Sequence, residues 1–234
     1  MKQSVIILHG WGLNGSKYNQ LKKILENKNN AVYAPDMPGF GKEVLESANM
    51  DLDDYVLFLE RFIKKKKIES PVLIGHSFGG RVAIKYTYKY PDQVSKLILT
   101  GVPVIRHINS RQKLAIVLAK IGGSASSFLP KTVFNKLRKM PYYLAGSFDY
   151  YKAGPMSKIF VSIISEDLTC FIKRIKIPTF LLWGEKDRLT PATDVLEIKK
   201  YMPQAVSVVF PGEGHRFPYE NPRLFSKEVL KLIS

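Results

Sequence analysis

The chain has 234 residues, 45% of them apolar, a formal net charge of +16 and one cysteine. That length suits a single α/β domain with room for an insertion, hiding about 70–75% of its unfolded surface. Cys170 alone excludes an internal disulfide and fits a reducing compartment, and no run approaches the ~18 apolar residues of a membrane helix.

Apolar β-rich runs alternate with helix-period segments, the pattern of a parallel sheet covered on both faces. The first run, 5–8, starts too early for a signal peptide to precede it, so a cytoplasmic location is expected. It feeds the loop His9-Gly10-Trp11-Gly12, and a helix follows near 16–26. A second strand, 31–34, leads into Asp36-Met37-Pro38-Gly39-Phe40-Gly41, where Asp36 reads as a turn former. The helix expected over 52–67 places Leu52, Tyr55, Val56, Leu59, Phe62 and Ile63 on one stripe. Its acids (Asp51, Asp53, Asp54) and its Lys64–Lys67 run complement the two ends of the helix dipole.

The third strand, 72–74, runs into Gly75-His76-Ser77-Phe78-Gly79, after which a helix is expected over 78–90. Strand, G-x-S-x-G turn and helix together make a nucleophile elbow, which lifts the serine hydroxyl clear of the sheet. Gly75 and Gly79 are small because the facing backbones pass too close for a Cβ. A fourth strand is expected at 97–100. From 103 to 174 the pattern turns helical, near 109–121, 130–140 and 156–172, with no strand candidate. This interval reads as a helical lid over the carboxyl ends of the strands, inserted in a core formed by 1–102 and 175–234. Strands at 179–183 and 206–210 and helices at 192–201 and 222–233 complete the chain. Asn221 is the expected N-cap of the last helix and Pro222 its first residue.

A serine hydroxyl needs a base to take its proton and a third group to orient that base. After an elbow serine the acid and then the histidine follow in sequence. Of His9, His76, His107 and His215, only His215 lies beyond the later strands, in a loop leaving the last one. The acid should end the preceding strand, where Asp187 is the choice and Glu185 its competitor. Two backbone N–H groups must meet the oxyanion; Phe78, after the serine, and Trp11, in the first loop, are the expected donors. Trp11, Tyr142, Tyr143 and Phe217 are the expected substrate contacts, with Phe148, Tyr150 and Tyr151 in the same lid cluster. His76 is expected to pack or bond locally, His9 to brace its own loop, and His107 to be solvated. No metal-ligand spacing, G-x-G-x-x-G or Walker loop occurs, so no metal and no cofactor is expected.

The high charge reads first as compositional bias, and no nucleic-acid motif accompanies it. Between Val102 and Thr169, however, ten lysines and arginines face three acids. Such a lid would suit an acidic acyl-carrier protein as partner.

In order and approximate spacing, His9-Gly10-Trp11-Gly12, Asp36 to Gly41, Gly75-His76-Ser77-Phe78-Gly79-Gly80, Gly184-Glu185-Lys186-Asp187 and Gly214-His215 resemble the α/β-hydrolase superfamily over nearly the whole chain. His9 to Asn14 with a compact helical lid is similar to carboxylesterases related to the pimeloyl-carrier-protein methyl ester esterase of biotin synthesis. The resemblance implies the α/β-hydrolase fold, a small carboxylic ester as substrate, an acyl-enzyme on the serine and no cofactor. The family's N-terminal hairpin has no counterpart, so about six strands are expected rather than eight. Gly41-Lys42-Glu43 departs from relatives, which often carry a small or hydroxyl residue two after the glycine. Cleavage of C–C bonds, thioesters or amides by the same triad, or a non-catalytic ligand-binding role, remain open on these motifs.

Overall fold

The computed structural model of the protein describes residues 3–27, 29–104 and 154–233. Six strands, β1 (Gln3–Leu8), β2 (Asn30–Tyr33), β3 (Val72–His76), β4 (Lys96–Thr100), β5 (Thr179–Gly184) and β6 (Val206–Phe210), form one sheet. All pairings are parallel and the order is β2-β1-β3-β4-β5-β6. The chain starts at β1, adds β2 on one side and then crosses to β3 on the other. This reversal makes the carboxyl ends of β1 and β3 the topological switch point, where open α/β sheets bind ligands.

Alternation along the strands divides the core between the two faces. Ile6, Leu8, Leu73, Leu97, Leu99, Leu181 and Trp183 point to one face. There they meet α2 (Leu52–Lys66), α3 (Phe78–Lys89) and, toward β5, a later helix at Thr193–Tyr201. Val5, Ile7, Val72, Ile74, Ile98 and Leu182 point to the other, against α1 (Asn19–Leu25) and the final helix at Pro222–Ile233. Local chemistry sets the ends of α2. Asp51 accepts from the N–H groups of Asp53 and Asp54 while the Asp54 side chain accepts from Asp51 N–H, a reciprocal capping box. Lys67 closes the helix in the left-handed region at φ +52°.

The single helix expected over 156–172 is instead two, α4 (Ser157–Ser165) and α5 (Thr169–Ile172). Glu166 is extended, and the Asp167 carboxylate takes the Thr169 N–H at 2.8 Å, giving the backbone a partner outside the helix. On α4, Ile159 and Ile163 are buried, whereas Ile164 is 39% exposed. The helices expected near 109–121 and 130–140, His107, the tyrosine and phenylalanine cluster at 142–151 and, of the ten lysines and arginines between Val102 and Thr169, all but Lys158 lie outside the described residues. The last helices are α6 (Thr193–Tyr201), α7 (Phe217–Glu220) and α8 (Pro222–Ile233), with Asn221 Oδ1 accepting from Leu224 N–H at 3.4 Å. No helix among the described residues is long and apolar enough to cross a membrane.

Candidate active site

All six strands end at one edge of the sheet, and the loops leaving β1, β3, β5 and β6 carry the candidate residues. Ser77 sits between β3 and α3 at φ +51°, ψ −116°, a region that L side chains rarely occupy. Such a conformation costs about 1–3 kcal/mol and persists only where neighbours enforce it. Here Ser77 N–H donates to Thr100 O on β4 at 3.0 Å, and Gly79 N–H donates to His9 O at 3.0 Å. A Cβ on Gly75 would lie 2.4 Å from Gly80 Cα, and one on Gly79 would lie 2.2 Å from Leu8 O. The two elbow glycines therefore let α3 start directly against β3 and the end of β1. Ser77 itself is half-buried.

His215 lies in the loop after β6 and Asp187 in the loop after β5. Asp187 Oδ2 is 2.8 Å from His215 Nδ1. A carboxylate only accepts, so Nδ1 carries the hydrogen and Nε2 is left with its lone pair, the tautomer of a general base. The acid is itself held by three donors. Its Oδ1 accepts from the N–H groups of Leu189 and Thr190, each at 2.9 Å, and its Oδ2 from Thr190 Oγ1 at 2.8 Å. Burial pushes the Asp187 carboxyl up, but the bonds from His215 and Thr190 together outweigh it and hold the pKa below the ordinary value. Glu185 is occupied elsewhere: its Oε2 accepts from Gly212 N–H at 2.9 Å.

The imidazole of His215 rests on Gly101, the residue after the Ser77 partner Thr100. Gly101 has φ +58°, and a Cβ there would meet His215 Cε1 at 2.8 Å and Nδ1 at 2.9 Å. Thus the β3–β4 pairing that fixes the Ser77 backbone also sets the floor on which the candidate base lies. No motif or spacing signals this role for Gly101, or the bonds of Thr190 to Asp187.

His76, expected to bond locally, reaches across the fold instead. Its Nε2 is 2.9 Å from the carbonyl of His215 and its Nδ1 is 2.6 Å from Tyr18 Oη. The carbonyl can only accept, so Nε2 bears the hydrogen and Tyr18 donates to Nδ1. Burial, then the neighbouring His215, lowers the His76 pKa to about 3, so its ring is neutral. His9 braces its loop as expected, donating from Nδ1 to Gly10 O and accepting at Nε2 from Met37 N–H, both at 2.9 Å. Asp36 closes its own turn, accepting from Lys42 N–H at 2.8 Å and from Gly15 N–H at 2.7 Å.

Among the described residues, neither Phe78 N–H nor Trp11 N–H has a hydrogen-bond partner. The first is an orphan by its place at the start of α3. The bond between Gly79 N–H and His9 O ties the two donor-bearing segments together. Trp11 is half-buried, and its ring packs against Phe40 at 5.0 Å, Phe78 at 5.3 Å and Phe160 of α4 at 5.0 Å. The wall beside the loop is therefore aromatic.

Phe217 is not part of this wall. It is buried between Phe210 and Phe225, at ring separations of 4.5 and 5.1 Å, in the core on the α1–α8 face of the sheet. The chain turns into α7 directly after Arg216, which drives the Phe217 side chain inward, away from the strand ends. The expected substrate contact at Phe217 is corrected accordingly; Tyr142 and Tyr143 lie outside the described residues. No cluster of His, Cys, Asp and Glu that could hold a metal ion occurs among the described residues.

The family model described as serine aminopeptidase, S33 (Hydrolase_4) matches residues 1–221. The AB hydrolase superfamily protein YisY of Bacillus subtilis is 28% identical over 236 residues, spanning 92% of this chain and 86% of its own. Lipase 1 of Psychrobacter immobilis is 24% identical over 246 residues, spanning 91% of this chain and 71% of its own. Among solved structures, an esterase from Exiguobacterium antarcticum has a TM-score of 0.75 at 21% identity, covering 99% of this chain and 91% of that one. With its six-stranded parallel sheet and the match over most of its length, the chain belongs to the Hydrolase_4 family of the α/β-hydrolase superfamily.

Proposed function

We propose that the protein is a serine hydrolase of carboxylic esters, with Ser77 as nucleophile, His215 as base and Asp187 as the acid that orients it. The observation that carries this reading is the 2.8 Å bond from His215 Nδ1 to Asp187, which leaves Nε2 free for a proton, combined with the strained elbow at Ser77. In the first half-reaction Ser77 Oγ attacks the ester carbonyl carbon while Nε2 takes the hydroxyl proton. The oxyanion that forms is met by Phe78 and Trp11 N–H. The tetrahedral adduct then breaks its C–O bond to the alcohol, which leaves with the proton from Nε2. Water attacks the acyl-Ser77 ester by the same route, giving the acid and free enzyme.

Two further points favour esters over the peptides named in the family description. The Trp11, Phe40, Phe78 and Phe160 rings suit an apolar acyl group better than a charged peptide amino terminus. The similarity to Lipase 1 of Psychrobacter immobilis points the same way. Hydrolysis of p-nitrophenyl esters of graded acyl length, alongside an aminoacyl-p-nitroanilide, tests the reading. Turnover of the esters with little of the anilide is expected. A folded protein that cleaves the anilide and no ester would overturn it.

A further inference from the structure

Arg81 lies one turn after Ser77 on α3, four residues or about 6 Å along the helix axis, and is only 2% exposed. One terminal nitrogen of its guanidinium donates to the Pro103 carbonyl and the other to the Glu166 carbonyl. These acceptors belong to two separate passages of chain, one leaving β4 and the other linking α4 to α5. A part-buried carbonyl outside regular structure is best met by a donor, and a rigid fork of N–H groups supplies two at once. Burial lowers the Arg81 pKa to about 10, against the pull of Glu166 and Asp167, so the group stays charged at neutral pH.

One turn further along, buried Lys85 pairs with Glu166 Oε1 at 2.5 Å and Asp53 Oδ2 at 2.9 Å. Both the main chain and the side chain of Glu166 are therefore held on α3. Glu166 ends α4, and α4 carries Phe160, whose ring lies 5.0 Å from that of Trp11. Just before α4, Met156 covers Gly39, where an added Cβ would come within 2.5 Å of Met156 Cε.

We propose that Arg81 is a positioning residue for the acyl side of the site. By holding Pro103 and Glu166 on α3, one turn from Ser77, it seats α4 so that Phe160 closes against Trp11. The kinetic consequence rests on the reading of Ser77 as nucleophile; the structural consequence does not.

The test compares the full chain with Arg81→Met and Arg81→Lys. Hydrogen exchange read by mass spectrometry reports residues 157–166, with β1 and β3 as internal references. Steady-state kinetics use p-nitrophenyl acetate and p-nitrophenyl octanoate. In Arg81→Met, exchange over 157–166 should quicken at least tenfold while the reference strands hold. KM for the octanoate should rise at least fivefold with kcat within twofold, and KM for the acetate should move less than twofold. Arg81→Lys should fall between the two, since an ammonium cannot bridge both carbonyls in the same plane, and it serves alone if the Met variant does not fold. Unchanged exchange over 157–166, or an equal loss of kcat/KM on both esters, would overturn the proposal. Should the unaltered protein cleave neither ester, the nucleophile reading fails and the exchange comparison still decides the role of Arg81.

Discussion

His76 Nε2 donates to the main-chain carbonyl of His215 at 2.9 Å, so the residue before the candidate nucleophile holds the backbone of the candidate base. Tyr18 completes the chain by donating to His76 Nδ1. Three loops, after β1, β3 and β6, are thereby locked through one neutral ring.

That neutrality has a pH signature. His76 has a pKa of about 3 when folded and close to the ordinary 6.5 when unfolded. Below pH 6.5 the unfolded chain binds a proton that the folded chain refuses, so stability falls as pH drops, approaching about 1.4 kcal/mol per pH unit until about pH 3. His76→Gln keeps a donor for the carbonyl and removes the titration. Urea unfolding between pH 6 and pH 4 should therefore lose stability less steeply in the variant, by about 1 kcal/mol per pH unit. Equal slopes would assign the acid sensitivity to other groups.

Gly101→Ala tests the floor beneath the base. The new methyl group would sit under 3 Å from the His215 ring, on a backbone at φ +58°. The imidazole must shift, and kcat should fall on the order of 10²-fold, since small misplacements of reacting groups are costly. The variant should also lose about 1–3 kcal/mol of stability to the strained backbone. A kcat within twofold of the parent, measured on the most rapidly cleaved p-nitrophenyl ester, would show that the ring does not depend on Gly101.

Asp187 and Glu185 separate cleanly. Asp187→Asn removes the acceptor that sets the His215 tautomer, and kcat should drop on the order of 10⁴-fold. Glu185→Gln alters only a bond to Gly212 N–H, and kcat should stay within about threefold, the scale of a lost exposed hydrogen bond. The reverse ranking would move the acid to Glu185.

Much of this was legible in the chain itself, because the signals were local. Alternating apolar runs located all six strands to within two residues, and the strand, elbow and helix around Ser77 follow from adjacent residues. The bond between Asp187 and His215 was also foreseeable, since chain order in an elbow-type fold restricts the choice. What escaped depends on contacts between distant segments. His76 and Tyr18 meet across the sheet end, and Arg81 joins Pro103 to Glu166; no spacing in sequence encodes either. Phe217 misled because a phenylalanine two residues after the base looks like a pocket wall, whereas the turn into α7 points it into the core. The break of α4 from α5 had a readable cue in Asp167 and Thr169, a side-chain acceptor two residues before a free N–H.

If Ser77 is an activated nucleophile, an electrophilic probe captures it covalently. The protein would be treated with a fluorophosphonate probe, digested with trypsin and sequenced by mass spectrometry across residues 68–81, a peptide that holds both Ser70 and Ser77. One adduct per chain on Ser77, none on Ser70, loss of labelling in Ser77→Ala and a fall in kcat on the order of 10⁶-fold are expected. A folded protein that takes up no probe at Ser77 while still cleaving esters, or a Ser77→Ala variant that keeps its activity, would contradict it.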